Sequence, residues 1–243
     1  MKIYAMSKKG QYKTENEDRI LIGKHIVNHG SLITDEDVKL IAIADGVGGN
    51  KGGAKASQFV CSRLSEVNLI TYDLLKNIND ELIQNASREH EYSKMATTLS
   101  GICFHDNNAS IFHIGNTRIS VMQGEYLKQI TEDHTTVNWL KKIGNISDDG
   151  ENLESRKNEI YACMGGGNKQ LFNNLFFFEN CKSITSAGRI ILSSDGIHEF
   201  VDINEVENML CNSDISSVCE KIIAKAEING SVDDKSIIIL DKN

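Results

Sequence analysis

Four acidic positions end or interrupt hydrophobic runs in a pattern suited to holding divalent cations. The clearest is Leu40-Ile41-Ala42-Ile43-Ala44-Asp45-Gly46-Val47-Gly48-Gly49, where an apolar run delivers one carboxylate at its tip. The glycines that follow let backbone approach a ligand closely. A carboxylate followed by a peptide carbonyl, here Asp45 and Gly46, suits a hard cation with oxygen ligands. Ile190-Ile191-Leu192-Ser193-Ser194-Asp195-Gly196 repeats the design. Asn16-Glu17-Asp18 and Val232-Asp233-Asp234-Lys235 each precede an apolar run. Taken singly, each of the four fits a tight turn or a solvated strand end as well as a ligand. Taken together, strand-tip carboxylates brought to one end of a sheet permit a two-metal site. Cations about 3.5–4 Å apart polarise a phosphate and lower the pKa of a water to near neutral. Nothing in the spacing forces that convergence.

Other phosphate and metal motifs fail on spacing. Gly46-Val47-Gly48-Gly49-Asn50-Lys51 lacks the Gly-Lys-Ser/Thr ending of a P-loop, and Lys51 stands where a dinucleotide fingerprint needs glycine. Gly165-Gly166-Gly167 fails the same pattern at Gln170. The sequence has no H-E-x-x-H, EF-hand loop or G-x-S-x-G.

The elements that must position the acids read as follows. Strand-like runs fall at Lys2–Met6, Ile20–Val27, Val38–Ala44, Thr98–Phe104, Ser110–Ile114 and Arg118–Met122. Others fall at Leu127–Ile130, Leu175–Phe178, Arg189–Ser193 and Ser236–Leu240. Helical spacing links Ala54, Ser57, Cys61, Leu64 and Val67, then Leu74, Leu75, Ile78 and Leu82. It recurs at Ile215, Val218, Cys219, Ile222, Ile223 and Ala226. Strands, a helix pair, a strand meander and further helices do not alternate as in a doubly wound sheet. They predict an α+β layered domain with helices covering largely antiparallel sheets. No repeat or linker-like tract divides residues 1–243, which read as a single domain.

Composition narrows the chemistry. Hydrophobic residues make up 40% and charged residues 25%, ordinary for a globular chain. A net charge of −8 argues against nucleic acid, whose phosphates need a basic face. It also gives no general attraction for a phosphorylated substrate, so phosphate chemistry would need local positive charge such as bound metal. No apolar run reaches the ~18 residues of a membrane span, and the amino terminus does not read as a signal peptide. The six scattered cysteines contain no C-x-x-C and read as reduced core residues of a cytoplasmic protein.

In order along the chain, Asn16-Glu17-Asp18, Asp45-Gly46-Val47-Gly48-Gly49, Met95-Ala96-Thr97-Thr98-Leu99 and Gly115-Asn116-Thr117-Arg118 form a set. Asp133-His134-Thr135, Ser194-Asp195-Gly196 and Asp234-Lys235 complete it. The set resembles the type-2C, or PPM, metal-dependent protein phosphatases, in a bacterial-type catalytic domain, across nearly the whole chain. The resemblance implies a four-layer αββα sandwich with two central antiparallel sheets flanked by helices. It implies two Mn²⁺ or Mg²⁺ ions and a water held between them that attacks phosphoserine or phosphothreonine in line. The implied metal ligands are Glu17, Asp18, Asp45, the Gly46 carbonyl, Asp195 and Asp234, and the implied catalytic set is Asp45, Asp195 and Lys13. Asp45 would bridge both ions. The implied partners are phosphorylated proteins, targets of a serine/threonine kinase, met by a monomer in the cytoplasm.

Departures from the family pattern carry their own expectations. Lys13 stands where an arginine usually grips the substrate phosphate, keeping the charge but losing the bidentate fork. Asn116 replaces the aspartate of the usual G-D-S-R, and its neutral amide argues against a third ion. Lys235 stands where asparagine commonly follows the last metal aspartate, and Val47 where some members carry a histidine acid. Arg118 is expected to be structural. The segment Val137–Glu159 is expected to form a helix and a flap that selects substrate. Two alternatives stay open: a phosphoprotein-binding module that has lost turnover, and a structural protein whose acidic turns bind Ca²⁺.

Overall fold

Strands that are apolar on both faces must be covered on both faces, and that demand generates the layers. The computed structural model describes residues 1–47, 52–105, 108–144, 159–167, 176–178 and 181–242. Its early strands are β1 (Lys2–Lys8), β2 (Arg19–Ile22), β3 (His25–Val27), β4 (Gly30–Thr34) and β5 (Leu40–Ala44). Helices α1 (Gly53–Ser65) and α2 (Tyr72–Ala86) follow. A meander comes next: β6 (Ala96–Thr97), β7 (Leu99–Phe104), β8 (Ala109–Ile114), β9 (Arg118–Gln123) and β10 (Tyr126–Gln129). After α3 (Thr136–Lys142) come β11 (Met164–Gly165), β12 (Phe176–Phe178), α4 (Lys182–Ser186) and β13 (Arg189–Ser193). The chain closes with α5 (Asp195–His198), α6 (Ile203–Asn212), α7 (Ile215–Ile228) and β14 (Lys235–Asp241).

Two six-stranded antiparallel sheets result, ordered β10-β9-β13-β14-β1-β4 and β12-β8-β7-β5-β2-β3. Alternation along single strands shows the layering. In β5, Ile41 and Ile43 enter the core between the sheets, while Leu40, Ala42 and Ala44 face α1 and α2. In β14, Ile238 and Leu240 enter the same inter-sheet core, while Ile237 and Ile239 face α6 and α7. Three apolar interlayers thus separate four layers, an αββα sandwich. The strands β1 and β14, from opposite ends of the sequence, pair along their whole length from Lys2↔Asp241 to Lys8↔Lys235. Among the described residues no helix is long and apolar enough to cross a membrane.

The run expected as one strand at Ile20–Val27 folds as two, β2 and β3, around a turn where Gly23 takes φ 59°. Edge strand β4 and helix α6 carry weaker signals and were not expected. In β4 no side chain is buried, so its apolar alternation is blurred. Helix α6 does carry a start signal: Asp202 caps the Asn204 N–H and Glu205 follows in the first turn. Val206 and Leu210, one turn apart, bury its inner face.

Candidate active site

Antiparallel pairing sets the end of one strand beside the start of its neighbour, and this gathers the acids. Arg19 of β2 pairs with Ala44 of β5, so Asp18 and Asp45 leave the same edge of one sheet. Ser193 of β13 pairs with Ile237 of β14, so Asp195 and the Asp233-Asp234 pair leave one edge of the other. Across the inter-sheet core β13 packs on β5 and β14 on β2, which brings the two edges together.

The meeting point is a cavity of 190 Å³ lined by Lys13, Asp45, Gly46, Val47, Thr98, Asn116, Ile160, Asp195 and Asp233. Asp45 is held by its backbone: its carbonyl accepts from the Thr98 N–H at 2.8 Å and the Thr97 hydroxyl at 2.9 Å. Its own N–H donates to the Thr98 hydroxyl at 3.1 Å. The Gly46 N–H donates to the Glu17 carbonyl at 3.2 Å, joining two of the acidic segments. The Asn116 amide donates to Asp195 Oδ2 at 3.0 Å. Lys13 Nζ lies 3.0 Å from Glu17 Oε2 and 2.6 Å from Asp233 Oδ1.

The expected ligands Asp45, Gly46 and Asp195 therefore share the cavity wall with Lys13. Glu17, Asp18 and Asp234 are set behind it. Asp18 is 0% exposed, and neither carboxylate oxygen makes a well-formed hydrogen bond, although the Ser194 and Ser236 hydroxyls nearby favour its charged form. Asp234 is also buried, and its oxygens are already engaged: Oδ1 accepts from the Gly10 N–H at 2.7 Å and Oδ2 from the Glu17 N–H at 2.8 Å. Its neighbour Asp233 is the carboxylate on the cavity wall, a residue the ligand set expected from sequence leaves out. In a turn before a strand adjacent side chains point to opposite sides, and an Asp-Asp pair gives no sign of which points where. The buried ammonium of Lys235 donates to the Asp233 carbonyl at 2.6 Å and holds that turn. Of the expected helix and flap, Thr136–Lys142 is helical, and residues 145–158 lie outside those described.

The acids oppose one another's ionisation. Burial pushes the Asp18 carboxyl up to about 7, with Asp234 and Asp195 adding to the effect. Burial also raises Asp45 well above the usual range, reinforced by Asp195, Asp18 and Asp233. Asp195 is raised by burial and by Asp233, against hydrogen bonds from Asn116 and Asp45 that lower it. A divalent cation reverses this balance, since it stabilises the charged form that burial penalises. The buried Asp18 oxygens, short of a well-formed hydrogen bond, and the crowded, all-oxygen donor set fit such an ion. Among the described residues, no three acidic, histidine or cysteine side chains form a ready-made cage.

Glycine is required where these segments touch. A Cβ on Gly196 would collide with the Asp234 carbonyl oxygen. Gly196→Ala must push apart α5 and the turn before β14, at about 2 kcal/mol, or roughly 4–8 °C in Tm for a chain this long. A thermal melt checks this, and an unchanged Tm would show that the contact relaxes freely.

Behind the cavity, Arg118 grips Asp133 bidentately, with Nη2–Oδ2 at 2.6 Å and Nε–Oδ1 at 3.1 Å. This keeps its guanidinium off the cavity wall. Nearby, His113 Nδ1 meets the Ser100 hydroxyl at 2.7 Å, and its Nε2 meets the Glu132 carbonyl at 2.8 Å. Its ring lies 4.8 Å from that of His134. Burial pushes His113 down to about 4 and His134 down to about 3. Both folded pKa values lie below the ordinary value of about 6.5, so the stability tied to the neutral rings is full above that pH. It is lost as pH falls from there toward about 4 for His113 and about 3 for His134. Denaturant titrations across this window should show a shallower acid loss in His113→Gln than in the wild type.

A profile of the protein phosphatase 2C family matches residues 28–229. The chain is 27% identical over 256 residues to protein phosphatase PhpP of Streptococcus pneumoniae serotype 2, covering 100% of this chain and 98% of that one. It is 25% identical over 241 residues to serine/threonine phosphatase stp of Listeria innocua serovar 6a, covering 93% of this chain and 94% of that one. The crystal structure of serine/threonine phosphatase Stp1 from Staphylococcus aureus matches with a TM-score of 0.81 at 26% identity, covering 98% of this chain and 94% of that one.

Proposed function

Because the chain belongs to the protein phosphatase 2C family, we propose that the cavity between Asp45, Asp195 and Asp233 is where it hydrolyses phosphoserine and phosphothreonine in proteins. It is a metal-dependent serine/threonine protein phosphatase. The finer reading is two ions, Mn²⁺ or Mg²⁺. The observation that carries it is the convergence of strand-tip carboxylates from both sheets on one cavity, with the buried oxygens of Asp18 behind it.

Asp45 leaves the same sheet edge as Asp18 and also feels the charge of Asp195 and Asp233 from the other sheet, so it would help to hold either ion. The Gly46 carbonyl, Asp18 and Glu17 would serve the first. Asp195 and Asp233 would serve the second, with Asp234 fixing the turn through its two backbone hydrogen bonds. Bound divalent ions would polarise the phosphate and supply a nucleophilic water at neutral pH. The residues of the chain do the remaining work. Asn116 orients the Asp195 carboxylate through Oδ2. Lys13 brings a compact positive charge to the wall, matched to a phosphate oxygen but without a guanidinium's planar fork. Val47 and Ile160 give the cavity apolar walls that limit its water. Six free cysteines, three of them buried, support a reducing, cytoplasmic setting.

The direct test is release of phosphate from a phosphothreonine peptide with Mn²⁺, with Mg²⁺ and with chelator. Turnover with either ion and none in chelator is the expected result. Retained phosphopeptide binding with no turnover in any ion would instead make the chain a binding module.

A further inference from the structure

The acidic cluster already holds a cation of its own. Lys13 Nζ reaches Asp233 Oδ1 at 2.6 Å, Glu17 Oε2 at 3.0 Å and Asp234 Oδ2 at 3.2 Å. Asp45 and Asp195 also feel its charge. An ammonium has three donors on a compact head, and here three carboxylates from two chain segments meet it. A guanidinium has more donors, but fixes them in one plane, whereas the ammonium head can turn its three toward separate carboxylates. The tether is anchored at its base, because the Lys13 carbonyl accepts from Lys9 Nζ at 2.5 Å. The four-carbon stem carries rotatable bonds through which the head can change partners.

We propose that Lys13 is a tethered counterion that sits on carboxylates of the cation site and is displaced when a divalent ion binds. Loading then frees its ammonium for the substrate phosphate. This rests on the phosphatase reading and adds to it a coupling between ion and substrate. One charge cannot serve the carboxylates and a phosphate together. Metal binding therefore raises the affinity for phosphate beyond what the ion contributes directly, and by linkage phosphate raises the affinity for metal. The same competition lowers the affinity for the ion, since a divalent cation must first break three ion pairs. The family's more usual arginine, whose fork prefers a single planar partner, would hold this position less well.

Calorimetric titration of the metal-free protein with Mn²⁺ tests this without relying on activity. Lys13→Met and Lys13→Gln should bind Mn²⁺ about tenfold more tightly than wild type, since each removes the competing charge. Lys8→Gln removes an equal charge from an exposed pair with Glu227 and should change affinity by less than about twofold. Two Lys13 variants are used so that a folding defect in one leaves the other to decide. Unchanged or weaker Mn²⁺ binding in the folded Lys13 variants overturns the proposal, as does an equal gain in Lys8→Gln. If wild type binds Mn²⁺ and hydrolyses phosphopeptide while the Lys13 variants match its affinity, only the counterion role falls. If no variant and no wild type binds Mn²⁺, the phosphatase reading falls with it.

Discussion

Asp45→Ala should lower metal-dependent hydrolysis of a phosphothreonine peptide by about a thousandfold or more, the scale of losing a main electrostatic element of an active site. Asp45 is acted on by Asp195 and Asp233 from one sheet and by Asp18 from the other, so its loss disturbs both halves of the cation site. Nothing nearby can replace it: Asp18 is buried behind it, and Asp195 is already tied to Asn116. The variant should not be a folding mutant. Its backbone hydrogen bonds to Thr97 and Thr98 survive the substitution. Removing the carboxylate also relieves a buried group that Asp195 and Asp18 push toward its neutral form. Stripped of metal, Asp45→Ala should therefore melt no lower than wild type, a separation of activity from stability expected at a site strained for function. A variant that keeps more than a tenth of wild-type turnover would show that the reaction runs elsewhere.

The second large effect separates the adjacent aspartates. Asp233→Asn should weaken Mn²⁺ binding by about ten- to a hundredfold, and the metal-free Tm should hold, because this half-exposed side chain lies on the cavity wall. Asp234→Asn should do the opposite. Both oxygens of Asp234 accept backbone N–H groups, from Gly10 and Glu17, and an amide would turn one donor to face another. The cost is about 1–3 kcal/mol, a fall of several degrees in the metal-free Tm. Calorimetry and melting of the two variants side by side decide the matter. Lost metal binding with an unchanged melt in Asp234→Asn would make Asp234 the ligand and Asp233 the bystander.

Much of this protein is visible in its sequence because the signals are local. Arg189–Ser193 is a strand with the bounds its apolar run indicates, and the stripe Val218, Cys219, Ile222, Ile223 and Ala226 buries one face of α7. Asp45 and Asp195 stand out as single carboxylates at the ends of buried strands. These features follow from the two-residue repeat of a strand and the 3.6-residue turn of a helix, which neighbouring residues carry by themselves. Other features depended on the assembled chain. The turn at Gly23 divides a continuous apolar run, and β4 forms at an exposed edge where pairing with β1 outweighs a weak pattern. Only the antiparallel registers of Arg19 with Ala44 and of Ser193 with Ile237, stacked across the inter-sheet core, bring Asp45, Asp195 and Asp233 to one cavity with Glu17 and Asp18 behind it. The choice of Asp233 over Asp234 for the wall, and the placing of the Lys13 ammonium among three carboxylates, belong to that assembly. They depend on how distant strands pair and pack, and no window of adjacent residues encodes the distance between two sheets.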